Sequence, residues 1–488
     1  MSRRDFLKTA AAGAAAAGLA GVTSRSFLRD LFPPVKAQER IPINSAIVVG
    51  SGLAGLTAAM LLTDMGKEVT VLEQCHKPGG RVQDLRYPDG SHACVSWEEW
   101  FNRQIDPDVW WLLSKLGFAG DDYTRWEYDT FYYWRNKYCF DTWNRMINEC
   151  LPWDDPGGAE DYWEFDDEVW FTGSMETPWE TGKYPDYDYT DFKDWILWNP
   201  QGKPHHRTDV NEFIALNMRA EFGTPTSDGS AALGLDSWYY WEYSDCWSLN
   251  DGNYQVIERL CSRIPPGSLH LNETVNSVEN TATGVEVTSK KGRYTADVAI
   301  VAVPHNVVAS MVPELPSERV AALNTLGTPR NIKAIQQYTE PFWDTLYSMY
   351  GWGGYIDTHK ECVCVESSLQ NIPKGILGQY INEPEVGEFW GNAKGIHLKG
   401  GSARNVTNAM LDDLDQFWPA SQYFIDGSDR VYQWEPYVPL FPPRYVLDGT
   451  YVLNRQPING IFFAGDYVYG AGASPAIASA RDAVANFT

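Results

Sequence analysis

The stretch from Ala46 to Arg81, AIVVGSGLAGLTAAMLLTDMGKEVTVLEQCHKPGGR, constrains the fold more than any other part of the 488-residue chain. Ala46 to Val49 is a short apolar run of strand type, and it flows into Gly50-Ser51-Gly52-Leu53-Ala54-Gly55, a G-x-G-x-x-G turn. Apolar residues then recur at helical spacing through Leu62. Gly66 turns the chain, and Glu68 to Leu72 reads as a second strand that ends on Glu73. Strand, glycine turn, helix and strand closed by an acid form a dinucleotide-binding unit. Gly50 permits the tight turn, Gly52 lets the backbone approach a pyrophosphate, and Gly55 lets the helix pack on the strand. The helix N-terminus at Leu53 and Ala54 offers N–H groups to phosphate, and Glu73 accepts from a ribose hydroxyl.

Downstream of Glu73 the run Gln74-Cys75-His76-Lys77-Pro78-Gly79-Gly80-Arg81 resembles the acid-to-GGR segment of the flavin amine oxidase and carotenoid desaturase superfamily. The resemblance implies FAD, with Gly80 and Arg81 continuing the cofactor site. A second match lies at the C-terminus. Ile461 to Tyr467 reads as a buried strand ending in Gly465-Asp466, followed by a small-residue helix from Ala473. In the family, the residue matching Asp466 binds the ribityl-phosphate region, and the helix start at Ala473 faces the flavin pyrimidine. A third match is the segment from Leu269 to Pro304, where the resemblance implies that the backbone of Val275 meets the adenine. The segment Asn331 to Trp343 is similar to the amine oxidase pattern, which makes Lys333 the candidate catalytic residue, holding a water beside flavin N5. Strand alternation alone also allows Lys333 to be an edge residue facing solvent.

The expected fold is α/β, a FAD-binding Rossmann-like domain with an inserted α+β substrate domain. The first takes about 44–96, 249–330 and 430–488, and the second about 97–248 and 331–429. Residues 1–37 are set apart as a twin-arginine signal peptide: Arg3-Arg4 opens the motif, Ala10 to Val22 is weakly apolar, and Val35-Lys36-Ala37 offers a cleavage site. The expected location is therefore periplasmic or secreted, with the twin-arginine translocase as a partner during export. A net charge of −25 excludes nucleic acid as a partner, since nothing here neutralises a phosphate backbone.

The chain has eight cysteines, and none follows Cys364, so the C-terminal cysteine that links flavin covalently in some superfamily members is missing and FAD is expected to be non-covalent. The even cysteine count is not read as a disulfide framework, because twin-arginine clients fold in a reducing compartment. Cys362 and Cys364 are read as buried thiols and not as a metal pair. No metal site is expected: the acidic run from Asp154 to Glu168 lacks the spacing of a calcium loop and is read as a solvated surface, and His205-His206 sits in a loop.

Sixteen of the 21 tryptophans fall between Trp97 and Trp247, in what reads as an irregular, aromatic-rich insert. Aromatic side chains supply core area first, and a cavity lined by them suits an apolar, aromatic or cationic substrate. The favoured chemistry is hydride transfer from an amine or amino acid to flavin N5, with O₂ or a quinone-like acceptor taking the electrons. The family pattern also breaks in places. Ser91 to Trp100 replaces the usual turn after GGR, Gly472 stands where many amine oxidases carry a cage aromatic, and Gln456 to Asn459 is closer to the desaturase ending. Trp434, Tyr437, Tyr467 and Tyr469 are the candidates to line the substrate in place of that aromatic. A desaturase or isomerase of an apolar polyene or ring is the alternative, and a non-catalytic flavin-binding protein the minor one.

Overall fold

The structure is a computed structural model that describes residues 40–95, 101–103, 106–125, 130–173, 190–197, 206–223, 228–231, 234, 238, 246–349, 353–359, 361–365, 373–390, 397–398, 401–445 and 448–488. The signal segment, the Trp97 and Trp100 wall and His205 lie outside the described residues.

Five parallel strands form the dinucleotide sheet, in the order Leu269–His270, Glu68–Leu72, Ser45–Val49, Val298–Val301 and Ile461–Phe463. The central strands are continuous apolar runs because both faces are covered. Val48, Val71 and Ile300 are wholly buried against the helices Leu53–Asp64 and Ala473–Val484. Ile47, Ala299 and Val301 pack on the other face against a small antiparallel sheet containing Val275–Thr281 and Gly284–Ser289. Since all five strands run the same way, their carboxyl ends share one edge. Gly50, Glu73, Ala302 and Gly465-Asp466 leave the sheet there, the edge where open α/β sheets bind ligands.

The second sheet has eight strands, in the order His397–Leu398, Arg430–Trp434, Asn331–Tyr338, Gly375–Asn382, Glu361–Val365, Gly353–Ile356, Thr130–Trp134 and Lys137–Phe140. The strand Asn331–Tyr338 is central, paired antiparallel on both sides, and every one of its residues is buried. Its Ile332 and Ala334 pack with Val406 and Met410 of the helix Gly401–Leu414. The opposite face carries Ile335, Ile376 and Trp434, which meet Tyr87, Ala93 and Val95 from the cofactor side.

Several expectations change. The strand Arg430–Trp434 belongs to the eight-stranded sheet, so residues from 430 to Trp434 pair with the substrate domain and not with the dinucleotide sheet. At the other boundary, the helix Pro107–Lys115 buries Val109, Leu112 and Leu113 in the dinucleotide core, so that core extends beyond residue 97. Both shifts have one cause: hydrophobic pattern locates an element but not the layer it joins. Among its described residues the insert holds regular elements. It contributes two strands to the large sheet and the helices Gly157–Gly173 and Thr208–Phe222, around a core of Tyr162, Phe165, Phe213 and Trp238.

Cys139 and Cys150 are joined by a disulfide, which the cysteine count was not expected to provide. Export to an oxidising compartment after folding permits it. The acidic run is largely the solvated surface expected of it, with Asp154, Asp155, Glu160, Glu164 and Asp167 exposed; Asp166 departs from that in being buried, and Asp161 accepts from the backbone N–H of Arg207 at 2.6 Å and bonds the His206 ring at 3.1 Å.

Candidate functional site

The glycine turn shows what each missing side chain does. Gly50 has φ +99°, and a Cβ there would come within 2.4 Å of the Ala302 carbonyl oxygen. A Cβ on Gly55 would sit 2.0 Å from the Gly50 oxygen, so this glycine sets how close the helix approaches the strand. Gly52 is different, since a Cβ there meets nothing within 4 Å; the space above it is open for a ligand. No side chain caps the helix Leu53–Asp64, and its first turn holds no acid. The positive end of the helix dipole is thus left with neither a side-chain cap nor a neighbouring acid, the arrangement a pyrophosphate requires.

The GGR run lies on this turn. Gly79 donates its N–H to the Ser51 carbonyl at 2.8 Å, and Gly79 and Gly80 both have positive φ. Glu73 is buried; its Oε2 accepts from the Ser51 N–H and hydroxyl at 2.8 Å each, and its Oε1 from the Cys75 N–H at 2.8 Å. A carboxylate has about four acceptor sites, so capacity remains for a ribose hydroxyl. Burial and the neighbouring Glu73 charge push the Cys75 thiol up to about 11, which keeps it protonated. Glu273 donates its N–H to the Glu73 carbonyl at 2.7 Å, placing Val275 two residues beyond the end of the Glu73 strand. These features fit FAD.

The C-terminal motif closes the same edge. Asp466 forms an ion pair with Arg81 at 2.7 Å, and Arg81 also donates to the Tyr437 carbonyl at 2.9 Å. One guanidinium therefore ties the GGR turn, the Gly465-Asp466 turn and the substrate side together. Gly465, at φ +151°, donates its N–H to Ser479 Oγ at 2.8 Å, which fixes this turn against the helix that begins at Ala473.

On the substrate side, Lys333 is fully buried, and its Nζ donates to Tyr380 Oη at 2.8 Å. The edge, solvent-facing alternative is excluded by this burial and by the strand's two neighbours. Pleat geometry puts Lys333 on the face of Ile335, Tyr432 and Trp434, which is turned toward the cofactor domain. Trp434 donates its indole N–H to the Val95 carbonyl at 2.9 Å, and Tyr437 is buried beside it in the same cluster. Burial pushes the Tyr432 phenol up to about 12, against the pull of Arg430 and Lys333, so it stays neutral.

Tyr467 does not join this face. It is fully buried in the core beneath the dinucleotide sheet, with its ring 6.3 Å from that of His305, and this corrects its assignment as a substrate-lining candidate. The residue after Asp466 turns inward because the short helix Asp466–Val468 folds back under the strand end. Tyr380, Ser51 and Ser479 went unrecognised in the sequence. Ser51 lies inside the glycine motif and was legible there; Tyr380 and Ser479 carry no local signal.

A profile of the family described as flavin containing amine oxidoreductase matches residues 53–486, and one for the twin-arginine translocation pathway signal matches residues 1–20. The flavin-containing amine oxidase A of Sus scrofa is 24% identical over 472 residues, covering 86% of this chain and 79% of its own. The L-amino acid dehydrogenase of Synechocystis sp. is 24% identical over 476 residues, covering 90% and 93%. Among solved structures, putrescine oxidase bound to putrescine superposes with a TM-score of 0.72 at 18% identity, over 91% of this chain and 98% of that one. The cyclohexylamine oxidase of Brevibacterium oxydans gives 0.71 at 17% identity, over 91% and 97%. At those identities the superpositions speak to fold alone.

Proposed function

The chain belongs to the flavin-containing amine oxidoreductase family, as an exported FAD-dependent oxidoreductase, and on that premise we propose that it oxidises an amine or an amino acid at the face carrying Lys333. The observation that carries this reading is the complete burial of Lys333 on a central strand, on the face turned to the cofactor edge. FAD, when bound, accepts a hydride from the substrate carbon and passes the electrons to O₂ or a quinone-like acceptor. The chain's own groups bind, orient and exclude water. Gly52 and the helix start at Leu53 and Ala54 would hold the pyrophosphate, Glu73 the ribose, and Val275 the adenine. Gly80, Arg81, Gly465 and Asp466 would take the ribityl region, with Ala473 at the pyrimidine. FAD is held without a covalent bond. Trp434 and Tyr437 form an aromatic wall on this face that favours an apolar or cationic amine.

Lys333 positions a water and supplies fixed positive charge where negative charge develops during reoxidation. The relatives named as acting on amines and on an L-amino acid support the substrate class. The test is anaerobic bleaching of the yellow holoprotein against panels of amines, amino acids and polyenes, followed by assay of peroxide and ammonia. Bleaching by an amine or amino acid with ammonia release is expected. Bleaching by polyenes alone, without ammonia, sinks the proposal in favour of a desaturase.

A further inference from the structure

A lysine with no solvent contact in the middle of a fully buried strand costs several kcal/mol unless its charge is met. The sheet meets it through register. Lys333 stands directly opposite Tyr380 on one neighbouring strand and Tyr432 on the other. Cys362 lies opposite Tyr380 on the strand beyond. Directly opposed residues share a face, so this one rung carries a thiol, two phenols and an ammonium across four strands. Of these groups, Tyr380 is in hydrogen-bond contact with the lysine, Nζ to Oη 2.8 Å. Its own position is fixed: it is buried, and its ring lies 6.4 Å from that of Tyr437, the residue whose carbonyl receives Arg81.

We infer that Tyr380 is a positioning residue for Lys333, its phenol oxygen accepting from the ammonium so that the lysine stays charged and held on the face turned to the cofactor edge. The role of Lys333 in reoxidation is that of the preceding section, and this inference rests on it. Among the described residues, the titratable and charged groups that the sheet register and the hydrogen bonds bring toward the ammonium include Tyr380 and Cys362 on one side and Tyr432 and Arg430 on the other, with Tyr437 and Arg81 toward the cofactor edge. Tyr432 is neutral here, since burial pushes its phenol up to about 12. An oxygen that accepts from the charged form favours it, so removing that oxygen lowers the pH at which Lys333 loses its proton.

The variant is Tyr380→Phe, which keeps the ring and deletes only the acceptor. In protein labelled with ¹⁵N-lysine, the Nζ signal of Lys333 is assigned by its loss in Lys333→Met and titrated with pH. The expected result is a midpoint lowered by about one pH unit in Tyr380→Phe, with partial return in Tyr380→Gln, which restores an acceptor oxygen. A purely structural tyrosine would alter stability and leave the midpoint in place, and an unchanged midpoint overturns the inference. The alkaline limb of flavin reoxidation, followed by stopped flow, should move with the midpoint. If the midpoint moves while Lys333→Met reoxidises like wild type, the positioning role stands and the catalytic reading of Lys333 falls. If Tyr380→Phe yields no folded protein, Tyr380→Leu against Tyr380→Gln gives the same contrast.

Discussion

Gly50 to Gly55 and Asn331 to Tyr338 both face the cofactor edge, yet they meet opposite physical demands. The first works by absence: at Gly50 and Gly55 a Cβ would strike backbone at 2.4 and 2.0 Å, and at Gly52 the missing side chain leaves open space. The second works by presence, carrying a long cationic side chain into a strand with every residue buried and meeting its charge from neighbouring strands. A requirement for no side chain is written in residue type and spacing. A requirement for a met charge is written in register, which only the folded sheet supplies.

The difference can be broken most forcefully at the turn. Gly55→Ala should cost about 3 kcal/mol or more, because the added Cβ meets backbone that cannot move without parting helix from strand. The expected outcome is a colourless or insoluble protein; a yellow product melting near wild type would show that the turn tolerates bulk. On the substrate side, Cys139→Ser opens a loop of sequence separation 11 and should lower stability by about 3 kcal/mol in the unfolding of that region. Flavin absorbance at ambient temperature should be retained, so that melting followed by far-UV signal and by flavin release separate. Coincident, unshifted transitions would contradict this.

Arg81→Ala removes the group that joins the two halves, and FAD should bind about 10- to 100-fold more weakly, as for a lost charged hydrogen bond. Lys333→Met should leave FAD affinity within about twofold, since the lysine lies on the other sheet. Equal losses in the two variants would erase the distinction between holding the cofactor and acting beside it.

The smallest effect concerns Asp84, three residues past Arg81, whose carboxylate approaches the N–H of Tyr254. Burial pushes this acid up to about 7, against the pull of Arg86 and Lys77. Its folded pKa is thus above its unfolded one, so its contribution is fully present below pH about 4 and is lost as pH rises toward about 7. Asp84→Asn should therefore gain melting temperature relative to wild type across that window, by about 3 °C, and gain nothing further above it. A gap that is independent of pH would refute the assignment.

Much of the cofactor side was legible in the sequence. Gly50, Gly52, Gly55, Glu73, Arg81 and Asp466 share one edge because five parallel strands must deliver their ends there. Less was legible elsewhere. Trp434 was placed in the wrong layer, since a short alternating strand does not state which sheet it joins. Tyr467 follows a motif residue but turns into the core, a consequence of the local helix and not of composition. Tyr380 lies 47 positions from Lys333, and no local pattern announces that pairing.

The most direct measurement is stopped-flow kinetics of the two half-reactions in Lys333→Met. With a bleaching substrate in hand, anaerobic reduction should stay within about threefold of wild type. Reoxidation should slow by about 10²-fold, because methionine matches the shape of lysine and lacks its charge. Reoxidation at the wild-type rate would contradict the account, leaving Lys333 as a buried structural cation and moving the search for the active face elsewhere.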